Sequence, residues 1–395
     1  KSNIDFSKPS VIIANHHSFV DILLLLGLNH KTVMVTNEWV YNSPFFGKIV
    51  QFADFILSSE GMDTQIEKIN RLVAEGYSII VYPEGTRSPN FHLGRFKKGA
   101  FFLADKFKLD IQPIVMHGTS YVMPKKDGFA MKMYGEMVLK FLPRIASDDA
   151  AYGVGYAERT KKISKYFKKE YNAYREAVEY PEYFKHDLIG NYLYKGPVLE
   201  WYLRIKYRLE GKYRLFHELV PKSGKIVDVG CGYGLMSYAL AFSGENREIT
   251  AIDYDADKIE VAKNCPKIPE NLSFKVGDVV NFQYDKSDVF IVSDVLHYLT
   301  SDGQQQLLKN MFENLNRNGV LIIRDGDKDK SNRHKGTKFT EFISTNIGFN
   351  KTQNELNYIS GEIIKNFARE KDLDVEIIDK SKLTSNTIFV LRKLN

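Results

Sequence analysis

Short apolar runs alternate with longer stretches of mixed polarity along most of this chain, as expected for strands separated by helices. In the first part, five runs have the length of buried strands: Ser10–Ala14, Val33–Thr36, Tyr77–Tyr82, Ile111–Met116 and Met137–Leu142. Five similar runs follow in the second part: Lys225–Val229, Ile249–Ile252, Val289–Val292, Val320–Ile323 and Thr387–Leu391. Strands that alternate with helices form layered sheets. The pattern therefore predicts two α/β domains.

A segment of different composition separates the two sets of strands. Residues 158–214 contain 14 Lys and Arg, 8 Asp and Glu, and 10 of the 23 Tyr. This surplus of six positive charges equals the net charge of the whole chain, so the remaining residues are neutral in sum. We predict a first domain at 1–150, a basic, Tyr-rich helical linker at 151–214 and a second domain at 215–395.

The basic segment has two interpretations. Lys, Arg and Tyr interleaved with Trp201 are typical of a surface that meets lipid headgroups. Alternatively, the segment is a solvated helical connection whose Tyr residues pack on the flanking domains. Because the charge is balanced elsewhere, nucleic acid is not an expected partner. The first interpretation places the chain in the cytoplasm, at the inner face of a membrane.

Composition narrows the class of protein further. With 44% hydrophobic and 26% charged residues, the chain is globular rather than disordered. Two cysteines, Cys231 and Cys265, are too few for a disulfide framework and indicate a reducing compartment. The most apolar run, Ile22–Leu28, is far shorter than the ~20 residues of a membrane-spanning helix. Because Lys1 stands in place of an initiator Met, we expect a chain that was either processed or cut from something longer.

The first predicted strand ends in a polar sequence, residues 15–21, which reads NHHSFVD. Polar residues at a strand end lie at the carboxyl edge of a sheet, where α/β folds place their sites. The spacing from His16 to Asp21 is little more than one helical turn, so the carboxylate can reach the imidazole. Such a pair leaves the second ring nitrogen of His16 as a base for a hydroxyl group. A purely structural histidine is the alternative.

A second strand end carries the sequence PEGTRS at residues 83–88. Gly85 allows the backbone to approach an anion, Thr86 offers a hydroxyl donor, and Arg87 offers a planar fork for phosphate. An ordinary charged turn is the alternative. Two polar strand ends in one domain nevertheless indicate a shared site.

Together these blocks resemble the lysophospholipid/glycerol-3-phosphate acyltransferase family over roughly residues 8–145, and Ile111–Val115 and Phe96–Ala100 fit the same pattern. The resemblance implies that His16, oriented by Asp21, deprotonates an acceptor hydroxyl. That hydroxyl attacks the thioester of acyl-CoA or of an acyl-carrier protein. The resemblance also implies acceptor or phosphate binding by Glu84, Gly85, Thr86 and Arg87.

One block departs from the family pattern. The family's second block usually reads KxxLxxxPxxG; Pro44 and Gly47 fit it, but Asn37 stands in the position of the Lys. Losing that cation weakens the case for a phosphorylated acceptor. We expect acyl transfer to a (lyso)glycerolipid hydroxyl, with an aryl-polyene-type or other non-phosphorylated acceptor as the alternative.

The second domain opens with a strand that runs into a glycine-rich turn, GCGYG, at residues 230–234. Glycines allow a tight strand-to-helix turn and close approach of a ligand. A nicotinamide fingerprint fails because Leu235 breaks the GxGxxG spacing. The next predicted strand ends in Asp253, as expected for a carboxylate that binds ribose hydroxyls, and the later pair Gly277-Asp278 could meet an adenine amine.

This order of blocks resembles the class I S-adenosylmethionine-dependent methyltransferases over roughly residues 215–395, with their Rossmann-like doubly wound sheet. The resemblance places Asp228 near the methionine amino group. It implies that the cofactor is bound by Asp228, Gly230, Gly232, Gly234, Asp253 and Asp278. A domain that only binds nucleotide, as a scaffold or sensor, is the alternative.

The two domains together predict a bifunctional lipid enzyme that needs no metal. The pair resembles the carboxyl-terminal part of larger bacterial fusions in which a multi-pass exporter precedes it. We therefore expect a membrane lipid surface, a lipid substrate and an acyl-carrier protein as partners, and an unidentified lipid or small molecule as methyl acceptor. Tethering to the membrane through a longer parent chain fits the same expectation.

Overall fold

The computed structural model describes residues 6–44, 47–57, 65–88, 91–125, 135–210, 212–329, 356–379 and 386–393. Contacts between residues divide the chain into two compact units, Lys1–Val178 and Glu179–Asn395. Each unit contains one sheet of mixed α/β architecture. The expected fold class, two α/β domains, is thereby confirmed.

The sheet of the first unit has six strands, ordered β3-β2-β4-β1-β5-β6 across the sheet. Their bounds are β1 Ser10–Ala14, β2 Thr32–Thr36, β3 Ile56–Leu57, β4 Ser78–Val81, β5 Asp110–His117 and β6 Val138–Phe141. All neighbours are parallel except β5 and β6. Because β1 and β4 are parallel neighbours, the two polar strand ends of this unit meet at one edge.

Seven helices of the first unit are described: α1 Val20–Leu26, α2 Glu38–Tyr41, α3 Gly47–Phe52, α4 Ile66–Ala74, α5 Gly99–Lys106, α6 Thr119–Val122 and α7 Gly155–Val178. Helix α7 begins the predicted linker, yet it packs on α5 and β5. Its contacts follow a helical spacing, with Ile163, Phe167 and Tyr171 all buried in the core of this unit. The first part of the linker sequence is therefore part of the first unit.

The sheet of the second unit has seven strands, ordered β12-β13-β11-β10-β7-β8-β9. Their bounds are β7 Ser223–Val229, β8 Asn246–Asp253, β9 Leu272–Val276, β10 Ser287–Ser293, β11 Leu315–Gly326, β12 Leu373–Ile378 and β13 Asn386–Lys393. Only β13 runs antiparallel to its neighbours. Strand β7 lies between β8 and β10, so the connections diverge at its carboxyl end. Ligands of doubly wound sheets bind at such a switch point.

The described helices of the second unit are α8 Lys185–Gly190, α9 Pro197–Glu210, α10 Tyr213–Leu219, α11 Leu235–Phe242, α12 Ala256–Lys263, α13 Ser301–Glu313 and α14 Gly361–Glu370. Consecutive apolar residues of β7 enter different cores, Ile226 one and Val227 the other. This alternation is the period-two pattern of a strand buried on both faces. It explains why the central strands read as continuous apolar runs.

Half of the ten tyrosines of the basic segment serve packing. Five are buried in the cores: Tyr171, Tyr192, Tyr202, Tyr207 and Tyr213. By contrast, Leu193, Val198 and Trp201 are exposed. The buried set agrees with the interpretation that the tyrosines pack on the flanking domains. Across the described ranges, none of the helices combines the length and the apolar composition needed to cross a bilayer.

All ten predicted strands are present, and three further strands were missed. Strand β3 has two residues, while β9 and β12 lie at the edges of the second sheet. Leu272 and Phe274 of β9 are buried, but the residues between and after them are exposed. In such an edge strand, the residues on one face of the sheet are exposed. The strand therefore lacks the continuous apolar run by which the central strands were found.

Candidate functional sites

His16 and Asp21 meet at the carboxyl end of β1. The imidazole Nδ1 lies 2.9 Å from Asp21 Oδ2, which also accepts hydrogen bonds from the backbone N–H groups of His17 and Ser18, each at 2.7 Å. Asp21 is fully buried, whereas the His16 side chain is 12% exposed. The backbone donors hold the carboxylate in place, so the imidazole is oriented with one nitrogen toward Asp21 and the other available to a ligand.

Glu84 joins the two motifs. Its Oε1 accepts from the backbone N–H of His16 at 3.0 Å, and its Oε2 accepts from Ser88 Oγ and the Gly94 N–H, both at 2.6 Å. The Ser88 N–H in turn donates to the His16 carbonyl at 2.8 Å. Because three protein donors already engage this buried carboxylate, Glu84 positions His16 relative to the PEGTRS loop.

Tyr82 is a site residue that the sequence analysis did not single out. Its ring stacks on the His16 imidazole, with centroids 4.0 Å apart and planes inclined by 12°. Burial, reinforced by the nearby Asp21 charge, raises the pKa of Tyr82 well above its usual value. The stacked ring therefore stays neutral and restrains the orientation of the His16 imidazole. The signal in the sequence is an aromatic residue at the end of the strand that precedes the loop.

Arg87 presents a donor to the same site. Its guanidinium carbon lies 3.8 Å from the centroid of the Phe19 ring, and this contact fixes the plane of the guanidinium group. Burial lowers the pKa of Arg87, while the Asp21 charge opposes that effect. Among the residues that the structure describes, no group accepts from the buried Arg87 Nη1. An anion would satisfy this N–H.

Gly85 and Thr86 form a tight turn beside Arg87. Gly85 has φ +73°, and a Cβ there would lie 2.6 Å from Lys97 Nζ. Thr86 is exposed on the loop. Asn37 directly follows β2, which runs parallel beside β4, and its side chain caps α2 by accepting from the Val40 N–H at 3.0 Å. The structure thus brings His16, Asp21, Glu84, Gly85, Thr86 and Arg87 to one sheet edge, and Asn37 serves as a helix cap.

The glycine-rich turn of the second unit leaves β7 at the switch point. A Cβ on Gly230 would lie 2.3 Å from the Val295 side chain, and one on Gly234 would lie 2.5 Å from Phe274. Gly232 differs, because no heavy atom of the described residues lies within 4 Å of its Cβ position. With φ +57°, this glycine faces open space. It forms a cradle that a side chain would fill.

Two acidic residues lie directly against the glycine turn. Asp253 Oδ2 accepts from the Gly232 N–H at 2.7 Å, and Oδ1 accepts from the Asp255 N–H at 2.9 Å. Buried Asp228 accepts from the Ser237 hydroxyl. Burial raises the pKa of Asp228 to about 6, although the Ser237 hydrogen bond lowers it. Asp253 therefore holds the glycine turn itself, whereas Asp228 holds the first part of α11, which follows the turn.

The third predicted carboxylate lies farther out on the same edge. Asp278 is exposed and accepts from the Val280 N–H at 3.0 Å and the Asn281 amide at 2.7 Å. The preceding residue, Gly277, donates its N–H to the Asp253 carbonyl at 2.9 Å. The turn, Asp228, Asp253 and Asp278 thus share the carboxyl edge of the sheet, as the order of blocks predicted.

A second His–Asp pair closes the ends of β10 and β11. His297 Nδ1 lies 2.6 Å from Asp325 Oδ1, and Asp325 Oδ2 accepts from the Leu296 N–H at 2.8 Å. Both side chains are 1% exposed. Beside them, Arg324 forms an ion pair with Asp294, whose φ is +58°. The pairing stabilises the loop after β10, which packs against Gly230 through Val295.

Comparison with known proteins assigns each unit. Residues 1–117 match the family model named Acyltransferase, and residues 221–372 match one described as a methyltransferase domain. Over 121 residues, the chain is 36% identical to the chloroplastic 1-acyl-sn-glycerol-3-phosphate acyltransferase BAT2 of Brassica napus. That match covers 29% of this chain and 35% of the relative, so the chain spans about a third of the relative's length.

Two solved structures are also similar. Human N-acetylserotonin methyltransferase is 17% identical, with a TM-score of 0.40 over 50% of this chain and 56% of that chain. The acyltransferase PlsC of Thermotoga maritima is 25% identical, with a TM-score of 0.37 over 43% and 68%, respectively. Because both TM-scores are low, the assignment of the two domains rests on the sequence matches. This chain is a fusion of an acyltransferase domain with a methyltransferase domain.

Proposed function

We propose that the first unit transfers an acyl group from acyl-CoA or an acyl-carrier protein to the free hydroxyl of a 1-acylglycerol-3-phosphate or a related lysolipid. The observation that carries this proposal is the His16–Asp21 pair on the same edge as Arg87, whose Nη1 has no acceptor among the described residues. The name of the Brassica napus relative favours the same acceptor. Arg87 supplies a positive charge for the acceptor phosphate, which Asn37, in the position of the family's Lys, cannot supply.

The chemistry follows from the hydrogen bonds of His16. With Nδ1–H donating to Asp21, Nε2 accepts the proton of the acceptor hydroxyl. The hydroxyl oxygen forms a bond to the thioester carbonyl carbon, and the carbon–sulfur bond then breaks. The departing thiolate takes the proton from Nε2, which restores the neutral imidazole. Asp21 stabilises the transient imidazolium, and no covalent acyl-enzyme is required.

The Arg87→Gln variant tests whether this residue binds the acceptor phosphate. Hydrogen bonds to charged groups contribute roughly 1.5–3 kcal/mol, so we expect KM for lysophosphatidate to rise at least about tenfold. The value of kcat should change little, because the phosphate keeps its charge throughout the reaction. The measurement is thiol release from palmitoyl-CoA, with lysophosphatidate and monoacylglycerol compared as acceptors.

Exposed Arg95, in the same connection, provides the matched control as Arg95→Gln. An equal loss of activity toward both acceptors would show that Arg87 does not recognise phosphate. If the unaltered protein prefers monoacylglycerol, the non-phosphorylated acceptor becomes the better assignment.

For the second unit, we propose binding of S-adenosylmethionine and methyl transfer to a lipid or small-molecule acceptor. The open space at Gly232, with the carboxylates of Asp228 and Asp253 at the same strand ends, supports binding of this positively charged cofactor. When bound, the cofactor supplies an electrophilic methyl group, and the protein contributes alignment of the two reactants. Calorimetric titration tests binding, and transfer of labelled methyl to lipid products of the first unit tests turnover. Binding without turnover would favour the scaffold or sensor alternative.

We further propose that α9 and the turn before it bind an anionic membrane surface from the cytoplasmic side. Leu193, Val198 and Trp201 are exposed there, and the same helix exposes Arg204 and Arg208. Exposed aromatic and aliphatic side chains flanked by cations are typical of interfacial helices.

Replacing Trp201 tests this surface. In cosedimentation with phosphatidylglycerol-containing vesicles, Trp201→Ala should weaken binding about fivefold, because one large apolar side chain no longer inserts. Salt should weaken binding further. The matched control is Ile377→Ala, which removes a similarly exposed apolar side chain from β12. Equal vesicle binding by both variants and the unaltered protein would refute the proposal, and preferential binding to DNA would replace it.

A further inference from the structure

Helix α7 of the first unit carries a strongly basic surface. Its 24 residues include seven Lys and Arg against three Glu, a surplus of four positive charges. Lys161, Lys165 and Lys169 follow one another at intervals of four residues, and all three are exposed. The buried series from Ile163 to Tyr171 has the same interval but is offset by two residues, which corresponds to about 200° of rotation around the helix axis. The three lysines therefore face away from the core and form the basic face of α7.

The basic face lacks the carboxylate partners that cations on other helices of this chain have. On α4, α9 and α10, an arginine pairs with a carboxylate four residues away. Within the described ranges, no carboxylate forms an ion pair with the basic face. Of the acids on α7, Glu158 pairs with Lys162 at 3.0 Å, and Glu170 pairs with Lys140 of β6 at 3.1 Å. The charge of the basic face is therefore not neutralised by the described part of the chain.

The basic face ends beside the proposed acyl-transfer site. Tyr171 follows Lys169 by two residues. The centroid of its ring lies 5.7 Å from that of the His17 ring, and His17 is the neighbour of His16 in the chain. The Tyr171 hydroxyl donates to the Phe91 carbonyl, in the connection after the PEGTRS block, at 2.9 Å. Since an α-helix rises 1.5 Å per residue, all three lysines lie within about 15 Å of Tyr171 along the helix axis.

The side chains around the lysines distinguish among anionic partners. Helices that bind a bilayer surface insert apolar side chains beside their cations. All residues of α7 are described, and after Tyr156 none of its large apolar side chains is exposed. A bilayer would therefore receive no inserted side chain from the basic face. Its ammonium groups extend over about 12 Å of helix, which suits an extended acidic protein surface better than the compact nucleotide end of coenzyme A.

We propose that the basic face of α7 docks an acidic acyl-carrier protein, which delivers the acyl group to the site beside His16. The inference rests on the proposed acyl transfer and names its donor. Helix α7 lies outside the segment that matches the acyltransferase family, residues 1–117. A carrier protein holds its thioester on a long flexible arm, so its body can bind α7 while the thioester reaches the sheet edge. The carbon–sulfur bond breaks as the hydroxyl oxygen bonds to the acyl carbon, and the carrier leaves as its free thiol. Opposite charges speed the encounter of the two proteins and fix their orientation.

The test compares two acyl donors. Lys165→Glu combined with Lys169→Glu should raise the KM for palmitoyl-acyl-carrier protein about tenfold, because two attractions become repulsions. The kcat with this donor, and both constants with palmitoyl-CoA, should not change. The measurement is thiol release with lysophosphatidate in neutral detergent micelles, which keeps anionic lipid out of the assay. Added salt should raise the carrier-protein KM of the unaltered protein. Lys8→Glu combined with Lys48→Glu is the matched control, because it reverses two exposed lysines of the same unit.

An unchanged carrier-protein KM in the charge-reversed variant would overturn the inference. An equal rise in KM for both donors would also overturn it, by assigning the lysines to coenzyme A. Loss of binding to phosphatidylglycerol-containing vesicles, with the carrier-protein KM unchanged, would replace the carrier protein by anionic lipid. If the unaltered protein uses palmitoyl-CoA alone, the inference fails but the proposed acyl transfer stands. If it releases thiol from neither donor, the proposed function itself fails.

Discussion

Replacing His16 by Ala should lower acyl transfer by about a thousandfold while leaving the protein folded. Loss of a general base typically costs between 10²- and 10⁴-fold in rate, and no other group on the described edge stands in the same relation to a carboxylate. Asp21→Asn should cost less, since the imidazole remains but its orientation and charge stabilisation weaken. The measurement is thiol release from palmitoyl-CoA with lysophosphatidate in anionic vesicles.

His30→Ala is the matched control for this experiment, because His30 is an exposed histidine of the same unit. It should retain full activity. In His16→Ala, the affinity for S-adenosylmethionine should equal that of the unaltered protein, which shows that the second unit is intact. Retention of more than a tenth of the acyl transfer by His16→Ala would refute the assignment of the base.

The sequence indicated that the two motifs of the first unit share a site, but it did not show how the strands bring them together. His16 and Asp21 lie within one short segment, so their contact follows from local geometry. The meeting of that segment with the PEGTRS loop depends on β4 lying directly beside β1, although β2 and β3 come between them in the chain. Strand order is set by how the whole sheet packs, and no local pattern reports it.

Glu84 illustrates the same limit at the level of one residue. The family resemblance implies acceptor binding by Glu84, and in the structure its carboxylate accepts hydrogen bonds from His16, Ser88 and Gly94. A buried carboxylate must have its hydrogen bonds satisfied, and here the protein provides the donors. Which donors reach it depends on residues up to 68 positions away. Sequence can identify a residue that matters without revealing its partner.

The predicted linker shows why composition alone does not locate a domain boundary. Residues 158–214 share one basic, Tyr-rich composition, yet Phe167 is buried in the core of the first unit and Tyr213 in that of the second. Each helix buries one apolar face. The helical periodicity of the sequence identifies that face, but it does not show which unit the face packs against. Helix α9 accordingly packs within the second unit, where the Tyr202 ring lies 6.5 Å from the ring of Tyr233 in the glycine-rich turn.

Gly232→Val should reduce the affinity for S-adenosylmethionine by about a hundredfold or more, because the side chain would fill the cradle that the cofactor needs. Gly230 and Gly234 offer no such test, since a side chain at either position collides with Val295 or Phe274 and so perturbs the fold. At Gly232 the cost to folding is limited to the strain of φ +57°, which is roughly 1–2 kcal/mol for a residue with a Cβ.

Strain and obstruction can be separated by a graded series at this one position. Gly232→Ala and Gly232→Val differ in volume and also in φ penalty, because a β-branched side chain tolerates positive φ less well than Ala, so both Tm and affinity should fall further for Val. Gly155→Val measures the cost of positive φ alone, because Gly155 has φ +72° and open space around it. Affinity that tracks Tm across the series would attribute the loss to strain. Affinity that tracks side-chain volume instead would place the cofactor beside Gly232, whose N–H already donates to Asp253.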